Sequence, residues 1–402
     1  MPNFPVSKRV AAMPGSSTLI AAQMAADMRS QGIDVIDLSV GEPDFDTPDF
    51  IKQYAWEGLK KGLTKYTSTA GTADFRRSIA DFYRGRFGAE IDISEIAADC
   101  GGKQALFNAA CTLLNPGDDV LIPKPYWVTF PAIADFCEAN AVYVETAETD
   151  FVLTAEQVAA AITDKTRLLI INSPNNPTGR VVPPAEMRKI VEVCASRGVY
   201  VLTDECYLFF AYPPAEPFTS AALPSELRKF VCVAGSFSKT YAMTGWRIGY
   251  TIADPEWTKA MVKLQSHSAT HPTSFVQYAC AKALQDVEKT LDAVNDMTGE
   301  YERRKNWLIP ALNEIRGFKC AMPEGAFYAF VDARELCGSA PYKCSADIAD
   351  HLLRESHIVV TDGSGFGAEG YLRISYATSM ENLQRAVDEM KRILGTATAA
   401  AA

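Results

Sequence analysis

The chain has 402 residues, of which 48% are hydrophobic and 22% are charged, and its formal net charge is −10. This acidic balance argues against non-specific nucleic-acid binding, which needs a basic face. No apolar run approaches the length of a membrane span, so we expect no membrane association.

The cysteines and the N-terminus indicate a cytoplasmic protein. The ten cysteines are scattered without a CxxC pair, which favours buried reduced thiols over disulfides. Lys8 and Arg9 are not followed by the apolar h-region of a signal peptide, since Asp27 and Arg29 interrupt it, so we predict no signal peptide. The four histidines lack HExxH spacing, and we expect no metal site.

Helical and strand patterns alternate through most of the chain. A helical period runs from Thr18 to Ser30, and a strand over Asp34–Val40 follows it. Apolar strands separated by helices imply an α/β protein with a mostly parallel sheet that is covered on both faces. The predicted strands are Val120–Ile122, Arg167–Asn172, Val199–Thr203 and Phe230–Ala234, and the predicted helices between them are Gln104–Leu114 and Glu186–Arg197.

The last part of the chain is typical of a smaller α+β unit. A long charged helix over Asp286–Ile315 would connect the two units, and three short strands come after it. They are Phe327–Val331, Ile358–Val360 and Tyr371–Tyr376. We predict a large domain over 46–290 and a small, discontinuous domain over 1–45 and 291–402.

Polar segments follow four of the apolar runs. In open α/β sheets, ligands bind beyond the carboxyl ends of the strands, so we expect these segments to lie close together. They are Gly101-Gly102-Lys103-Gln104, Asn172–Gly179, Asp204–Tyr207 and Ser236–Lys239.

Lys239 is the most informative residue of these segments. Most lysines are solvated surface charges. Lys239, in contrast, comes shortly after the apolar run 230–235. A lysine at the end of a buried strand loses hydration, which lowers its pKa and makes the neutral amine accessible. A neutral amine can attack a carbonyl and form a Schiff base.

Three further side chains would face Lys239 at this edge. Asp204 follows a strand and could pair with a pyridinium nitrogen, although a helix N-cap is its ordinary role. Tyr207 could donate to a ring oxygen, or it is simply a packed aromatic side chain. Asn176 lies in a turn with two prolines and a glycine, and its amide could face a cofactor or a substrate carboxylate.

The glycines and hydroxyls nearby suit an anion. Gly101 and Gly102 permit close approach to the free N–H groups of the following helix, next to Lys103. Ser236, Ser238 and Arg247 add hydroxyls and a bidentate fork for the same phosphate. The run 235–240 is not a P-loop, since serine rather than glycine precedes the lysine. With Lys239, this set predicts a pyridoxal phosphate (PLP) site.

Two more residues are candidates for ring and substrate binding. Trp127 follows a strand and could stack on a pyridine ring, or it packs in the ordinary way. Arg373 is a charge inside an apolar strand, and buried arginine needs an anionic partner. We interpret that partner as a substrate α-carboxylate, with a structural salt bridge as the alternative. The glycine-rich run Gly363–Gly367 lacks dinucleotide spacing and is interpreted as a flexible loop.

These motifs together resemble the class I/II aminotransferases of the fold-type I PLP family, and in particular the bacterial aspartate aminotransferases. The resemblance runs from Gly41 to Arg373 and implies a large domain with a seven-stranded sheet and a smaller α+β domain. Its most specific parts are Ser173–Gly179, Asp204 with Tyr207, Ser236–Lys239 and Thr244–Gly249.

The resemblance implies roles for single residues. Lys239 would hold PLP and move the substrate proton, Asp204 would bind the pyridine nitrogen, and Tyr207 would bind the ring oxygen, with Asn176 assisting. Arg247 would hold the phosphate, while Arg373 and the Gly41 backbone would bind the α-carboxylate. Tyr66 would reach the phosphate of a neighbouring subunit, which implies a homodimer with shared sites.

The resemblance also implies the substrates: an L-amino acid and a 2-oxo acid that react in ping-pong fashion. Aspartate with 2-oxoglutarate is the preferred pair, because Lys103 and the hydroxyls of Ser16-Ser17-Thr18 would bind the distal carboxylate. Relatives that accept prephenate have a lysine where this chain has Pro14, so prephenate activity is not expected. An aromatic or other neutral donor, a PLP-dependent carbon–sulfur lyase and a non-catalytic PLP-binding regulator remain as alternatives.

Overall fold

A computed structural model describes residues 4–13, 17–338 and 340–396, without the side chains of 12 and 17–22. Helices form where apolar residues recur at helical spacing, and several begin at a side-chain cap. Thr72, for example, accepts a hydrogen bond from the backbone N–H of Phe75 at 3.2 Å. The α-helices are α1 (Lys8–Ala12), α2 (Ser17–Ser30), α3 (Asp49–Lys60), α4 (Ala73–Phe87), α5 (Gly102–Leu113), α6 (Thr129–Phe136), α7 (Ala155–Ala161), α8 (Pro184–Ser196), α9 (Ser225–Arg228), α10 (Pro255–Ser266), α11 (Ser274–Gln285), α12 (Val287–Asn313), α13 (Ser345–Ser356) and α14 (Met380–Leu394).

The strands belong to three sheets. The strands are β1 (Ile36–Asp37), β2 (Ile96–Asp99), β3 (Asp119–Lys124), β4 (Asn140–Glu145), β5 (Thr166–Asn172), β6 (Tyr200–Asp204), β7 (Val231–Ser236), β8 (Gly249–Ile252), β9 (Lys319–Cys320), β10 (Tyr328–Asp332), β11 (Ile358–Val359), β12 (Thr361–Asp362) and β13 (Tyr371–Ser375).

The central sheet has seven strands in the order β2-β8-β7-β6-β5-β3-β4. Only β8 runs antiparallel to its neighbours, and the other pairs are parallel. Strands β5, β6 and β7 are almost wholly buried, as expected for a parallel sheet with helices on both faces. The predicted mostly parallel α/β sheet is confirmed.

The second unit is built on an antiparallel four-stranded sheet in the order β12-β13-β10-β9. Strand β1 from the N-terminal part pairs with β11, Ile36 with Ile358, so the two ends of the chain meet in this unit. The long helix α12 precedes the sheet, as predicted, and its residues Tyr301 and Leu308 pack in the same apolar cluster. The domain limits at 46 and 290 remain a prediction.

The ten cysteines are all free thiols; Cys232 and Cys280 are buried, while Cys111 is half-buried. In the described part of the chain, no helix is both long and apolar enough to cross a membrane.

Candidate active site

A cavity of about 480 Å³ opens at the carboxyl ends of β5, β6 and β7. Asn172, Asp204 and Ser236 are the last residues of these three strands, and all of them line the cavity. The remaining predicted site residues also line it, except Gly101 and Tyr66. The parallel strand direction therefore brings segments that are distant in sequence to one edge, as the sequence predicted.

Lys239 lies three residues beyond the end of β7, and its Nζ donates to the carbonyl oxygen of Gly41. Burial lowers the pKa of Lys239, and the positive charges of Arg247 and Arg373 act in the same direction. A lower pKa makes the neutral amine, which is the nucleophilic form, more accessible.

Asp204 is buried at the floor of the cavity, with 4% of its surface exposed. Its Oδ1 accepts a hydrogen bond from the backbone N–H of Cys206 at 3.2 Å. Burial raises the pKa of Asp204 to about 6, partly offset by this bond and by the charge of Lys239. A cation beside the carboxylate would lower that pKa again, so the position suits a protonated pyridine nitrogen.

Tyr207 is also buried, and its hydroxyl lies 2.8 Å from the hydroxyl of Tyr328. Burial raises the pKa of Tyr207 well above its ordinary value, so the phenol keeps its proton near neutral pH. It is therefore available as a hydrogen-bond donor to an oxygen in the cavity.

The start of helix α5 forms an anion cradle with the loop after β7. Gly101 caps the helix at φ +87°, and a Cβ on it would lie 2.5 Å from Nη2 of Arg247. Arg247 donates to the carbonyl oxygens of Thr244 at 2.8 Å and Cys100 at 3.3 Å, contacts that do not neutralise its charge. Helix N–H groups, a guanidinium and the hydroxyls of Ser236 and Ser238 fit a phosphate dianion.

Arg373 comes from the other sheet, on strand β13, with 1% of its surface exposed. It donates through Nη1 to Oδ1 of Asn176 at 3.0 Å and through Nη2 to the carbonyl of Ser39 at 2.6 Å. Its buried Nε has no hydrogen-bond partner in the described structure. Since these acceptors are neutral, the geometry favours a bound carboxylate over the alternative of a structural salt bridge.

Lys103, in the first turn of α5, is a further basic residue that lines the cavity. Its Nζ lies 4.8 Å from the centroid of the Trp127 ring. Burial lowers the pKa of Lys103, and the charge of Arg247 adds to this shift. Trp127 thus contacts a lysine here, and its predicted stacking on a pyridine ring remains a prediction.

The family model for aminotransferase class I and II matches residues 33–390. The chain belongs to the class I and II aminotransferase family. It is an aminotransferase, as the sequence predicted, and this family depends on PLP.

Relatives of this aminotransferase match it over almost their whole length. A probable aspartate/prephenate aminotransferase of Aquifex aeolicus is 39% identical over 97% of this chain and 98% of its own. The structure of aspartate aminotransferase from Thermus thermophilus with maleate has a TM-score of 0.92 at 36% identity, covering 98% of this chain and 100% of that chain. The aromatic aminotransferase from Pyrococcus horikoshii has a TM-score of 0.86 at 39% identity, with 92% and 98% covered. These neighbours confirm the predicted fold.

Tyr66 lies outside the cavity of the aminotransferase chain. It is 89% exposed, and its ring meets the ring of His271 edge-on at 5.7 Å. Its predicted contact with the phosphate of a second subunit stays a prediction. Ser16 and Pro14, named for substrate choice, lie outside the described residues, as do the side chains of Ser17 and Thr18.

Two aromatic residues next to Arg373 were not predicted from the sequence of this aminotransferase. The guanidinium carbon lies 4.5 Å from the Tyr328 ring centroid and 5.0 Å from that of Phe366. Phe366 belongs to the glycine-rich run interpreted as a flexible loop; instead, 364–366 form a 3₁₀ turn and Phe366 is fully buried. Periodicity gave no signal for either contact, because both depend on how distant segments pack.

Gly101→Ala should weaken binding of PLP to the aminotransferase by roughly tenfold or more, because the new methyl group displaces Arg247 and an L-residue is strained at this φ. The PLP dissociation constant would be measured by absorbance titration of the apoenzyme. The matched control is Gly117→Ala, which has φ +85° but no atom within 4 Å of the added Cβ. Equal affinity for PLP in both variants would contradict the role of Gly101 in the anion cradle.

Proposed function

We propose that this aminotransferase transfers the amino group of L-aspartate to 2-oxoglutarate, with PLP bound to Lys239. The observation that supports it most strongly is that Arg373 and Lys103 line one cavity together with Lys239. Aspartate and 2-oxoglutarate are dicarboxylates, and each needs two cationic contacts. The relatives named for aspartate, and the Thermus structure with maleate, agree with this choice.

The residues present fit the cofactor. Asp204 would hold a proton on the pyridine nitrogen, Tyr207 would donate to the ring oxygen, and the cradle of Gly102, Ser238 and Arg247 would bind the phosphate. When bound, PLP supplies an electron sink for the negative charge that develops at the substrate α-carbon.

The remaining steps depend on side chains of this chain. Arg373 binds and orients the α-carboxylate, and Asn176 holds the guanidinium through Oδ1, which leaves its amide nitrogen to face a ligand. Once the incoming amino acid has displaced Lys239 from its covalent bond, the freed Nζ removes the proton from the substrate α-carbon as a general base, and its lowered pKa suits that task. The same amine returns a proton when the second substrate reacts.

We also propose that the enzyme is a cytoplasmic homodimer. Free thiols are consistent with a reducing compartment. A second copy would cover an exposed apolar face around helix α3, where Trp56 is 59% and Tyr66 is 89% exposed. In such a dimer Tyr66 would contribute to the neighbouring phosphate site.

Lys103→Ala is expected to lower kcat/KM for aspartate by about 10- to 100-fold, the range for a lost hydrogen bond to a charged group, and to leave alanine nearly unchanged. The measurement is initial rates with both donors against 2-oxoglutarate. Lys103→Met keeps the contact with Trp127 without the charge, so it should show the same discrimination.

Equal losses for alanine and aspartate would contradict the distal-carboxylate role of Lys103. A donor panel tests the reaction itself: aspartate should yield oxaloacetate. Faster turnover of aromatic donors would contradict the assignment of aspartate as the preferred donor. Pyruvate and ammonia from a sulfur amino acid would indicate a lyase.

A further inference from the structure

Tyr328 connects two parts of the site that the proposed function treats separately. It begins strand β10, is fully buried and lines the cavity. Its hydroxyl contacts the hydroxyl of Tyr207 at 2.8 Å, and its ring covers the guanidinium of Arg373 at 4.5 Å. One side chain therefore contacts the residues assigned to the cofactor ring and to the substrate carboxylate.

Either hydroxyl could donate in this contact, and the role proposed for Tyr207 decides the direction. Each phenol has one proton, and burial raises the pKa of both tyrosines, so both are protonated near neutral pH. If Tyr207 donated to Tyr328, no proton of Tyr207 would be left for an oxygen in the cavity. If Tyr328 donates, the proton of Tyr207 is free to point at the cofactor.

The ring of Tyr328 restrains Arg373 as well. The guanidinium carbon lies 4.5 Å from the ring centroid of Tyr328 and 5.0 Å from that of Phe366, and the two Nη atoms donate to Asn176 and the Ser39 carbonyl. Ring contacts together with hydrogen bonds at the edge restrain the guanidinium, which a bidentate carboxylate contact requires.

We propose that Tyr328 is a positioning residue for transamination: its hydroxyl directs the Tyr207 proton to the cofactor ring oxygen, and its ring orients Arg373 for the substrate carboxylate. This rests on the proposed function. Successive hydrogen bonds strengthen one another, so donation by Tyr328 makes Tyr207 a better donor. The stronger donor stabilises negative charge on the ring oxygen and lowers its affinity for a proton.

Tyr328→Phe removes the hydroxyl and keeps the ring. The pH midpoint of the visible absorption band of the PLP-loaded enzyme should move upward, by up to about one unit, as the ring oxygen regains proton affinity. With aspartate, kcat should fall about 2- to 10-fold. KM should stay close to that of the wild type, because the aromatic ring still packs on the guanidinium of Arg373. Tyr328→Leu should in addition raise KM.

The matched control is Tyr83→Phe. Tyr83 also forms a buried hydroxyl pair, 2.9 Å from Tyr250, but it does not line the cavity. This control should lose stability without any shift of the absorption midpoint. In the Tyr207→Phe background, adding Tyr328→Phe should shift the midpoint little further, since the hydroxyl acts through Tyr207.

A Tyr328→Phe midpoint equal to that of the wild type, or a shift that is the same with and without Tyr207, would overturn the proposal. Absence of a borohydride-reducible visible band in the wild type would instead overturn PLP binding through Lys239. The two failures are therefore distinguishable on the same samples.

Discussion

Lys239→Ala should abolish transamination, with kcat at least about 10⁴-fold lower, because one amine provides both the covalent anchor and the proton transfer at the α-carbon. The residue follows the buried strand β7, and burial lowers its pKa. A lower pKa makes the neutral amine, which both tasks need, more accessible. Steady-state rates with aspartate and 2-oxoglutarate measure the loss. Borohydride reduction and peptide mapping should place the PLP label on Lys239 in the wild type and nowhere in the variant.

Lys305→Met provides the control for removing a buried lysine. Lys305 on helix α12 is only 4% exposed and its pKa is also lowered by burial, but it does not line the cavity. This variant should keep the label and most of the activity. A label on any other lysine, or turnover by Lys239→Ala near the wild-type rate, would contradict the assignment on which the proposed function depends.

Arg373→Ala should lower kcat/KM by about 10²- to 10³-fold, in line with the roughly 2–5 kcal/mol lost when one partner of a buried charged pair is removed. The loss should be similar for aspartate and alanine, because every amino acid presents an α-carboxylate. Initial rates with both donors give the two ratios. This equality separates Arg373 from Lys103, whose removal should affect aspartate selectively.

Two further variants show whether the charge or the planar geometry of Arg373 accounts for the loss of kcat/KM. Arg373→Lys keeps the charge without the planar fork, so it should recover only part of the activity. Arg304→Lys is the matched control, since Arg304 is 5% exposed and pairs with Asp44 at 2.8 Å outside the cavity. Unchanged kcat/KM for aspartate in Arg373→Ala would show that the carboxylate binds elsewhere.

Much of the site was predictable because ligands of open α/β sheets bind beyond the carboxyl ends of the strands. Asp204 and Lys239 each follow an apolar strand, and parallel strands place such residues at one edge whatever the details of packing. The glycines at 101 and 102 were recognisable for a local reason, since residues without a side chain before a helix let an anion approach the free N–H groups of that helix. Arg373 stood out as a charge inside an apolar strand.

Contacts between segments that are far apart in the chain were not predictable in this way. Arg373 reaches the Ser39 carbonyl across 334 positions of sequence, and Tyr207 meets Tyr328 across 121. Phe366 looked like part of a mobile glycine-rich run, yet its ring packs on Arg373. Such contacts depend on how segments distant in the chain pack against one another, and no local pattern encodes that packing.

The amino-acid sequence by itself determined the fold class and pointed to Lys239, Asp204 and the glycines before helix α5, because each of these segments has a local signature and strand direction places such segments at one edge. Only the tertiary structure decided which neighbours direct the hydroxyl proton of Tyr207 and orient the guanidinium of Arg373. The physical reason is that hydrogen-bond direction and ring packing arise between segments that meet only after both sheets have formed.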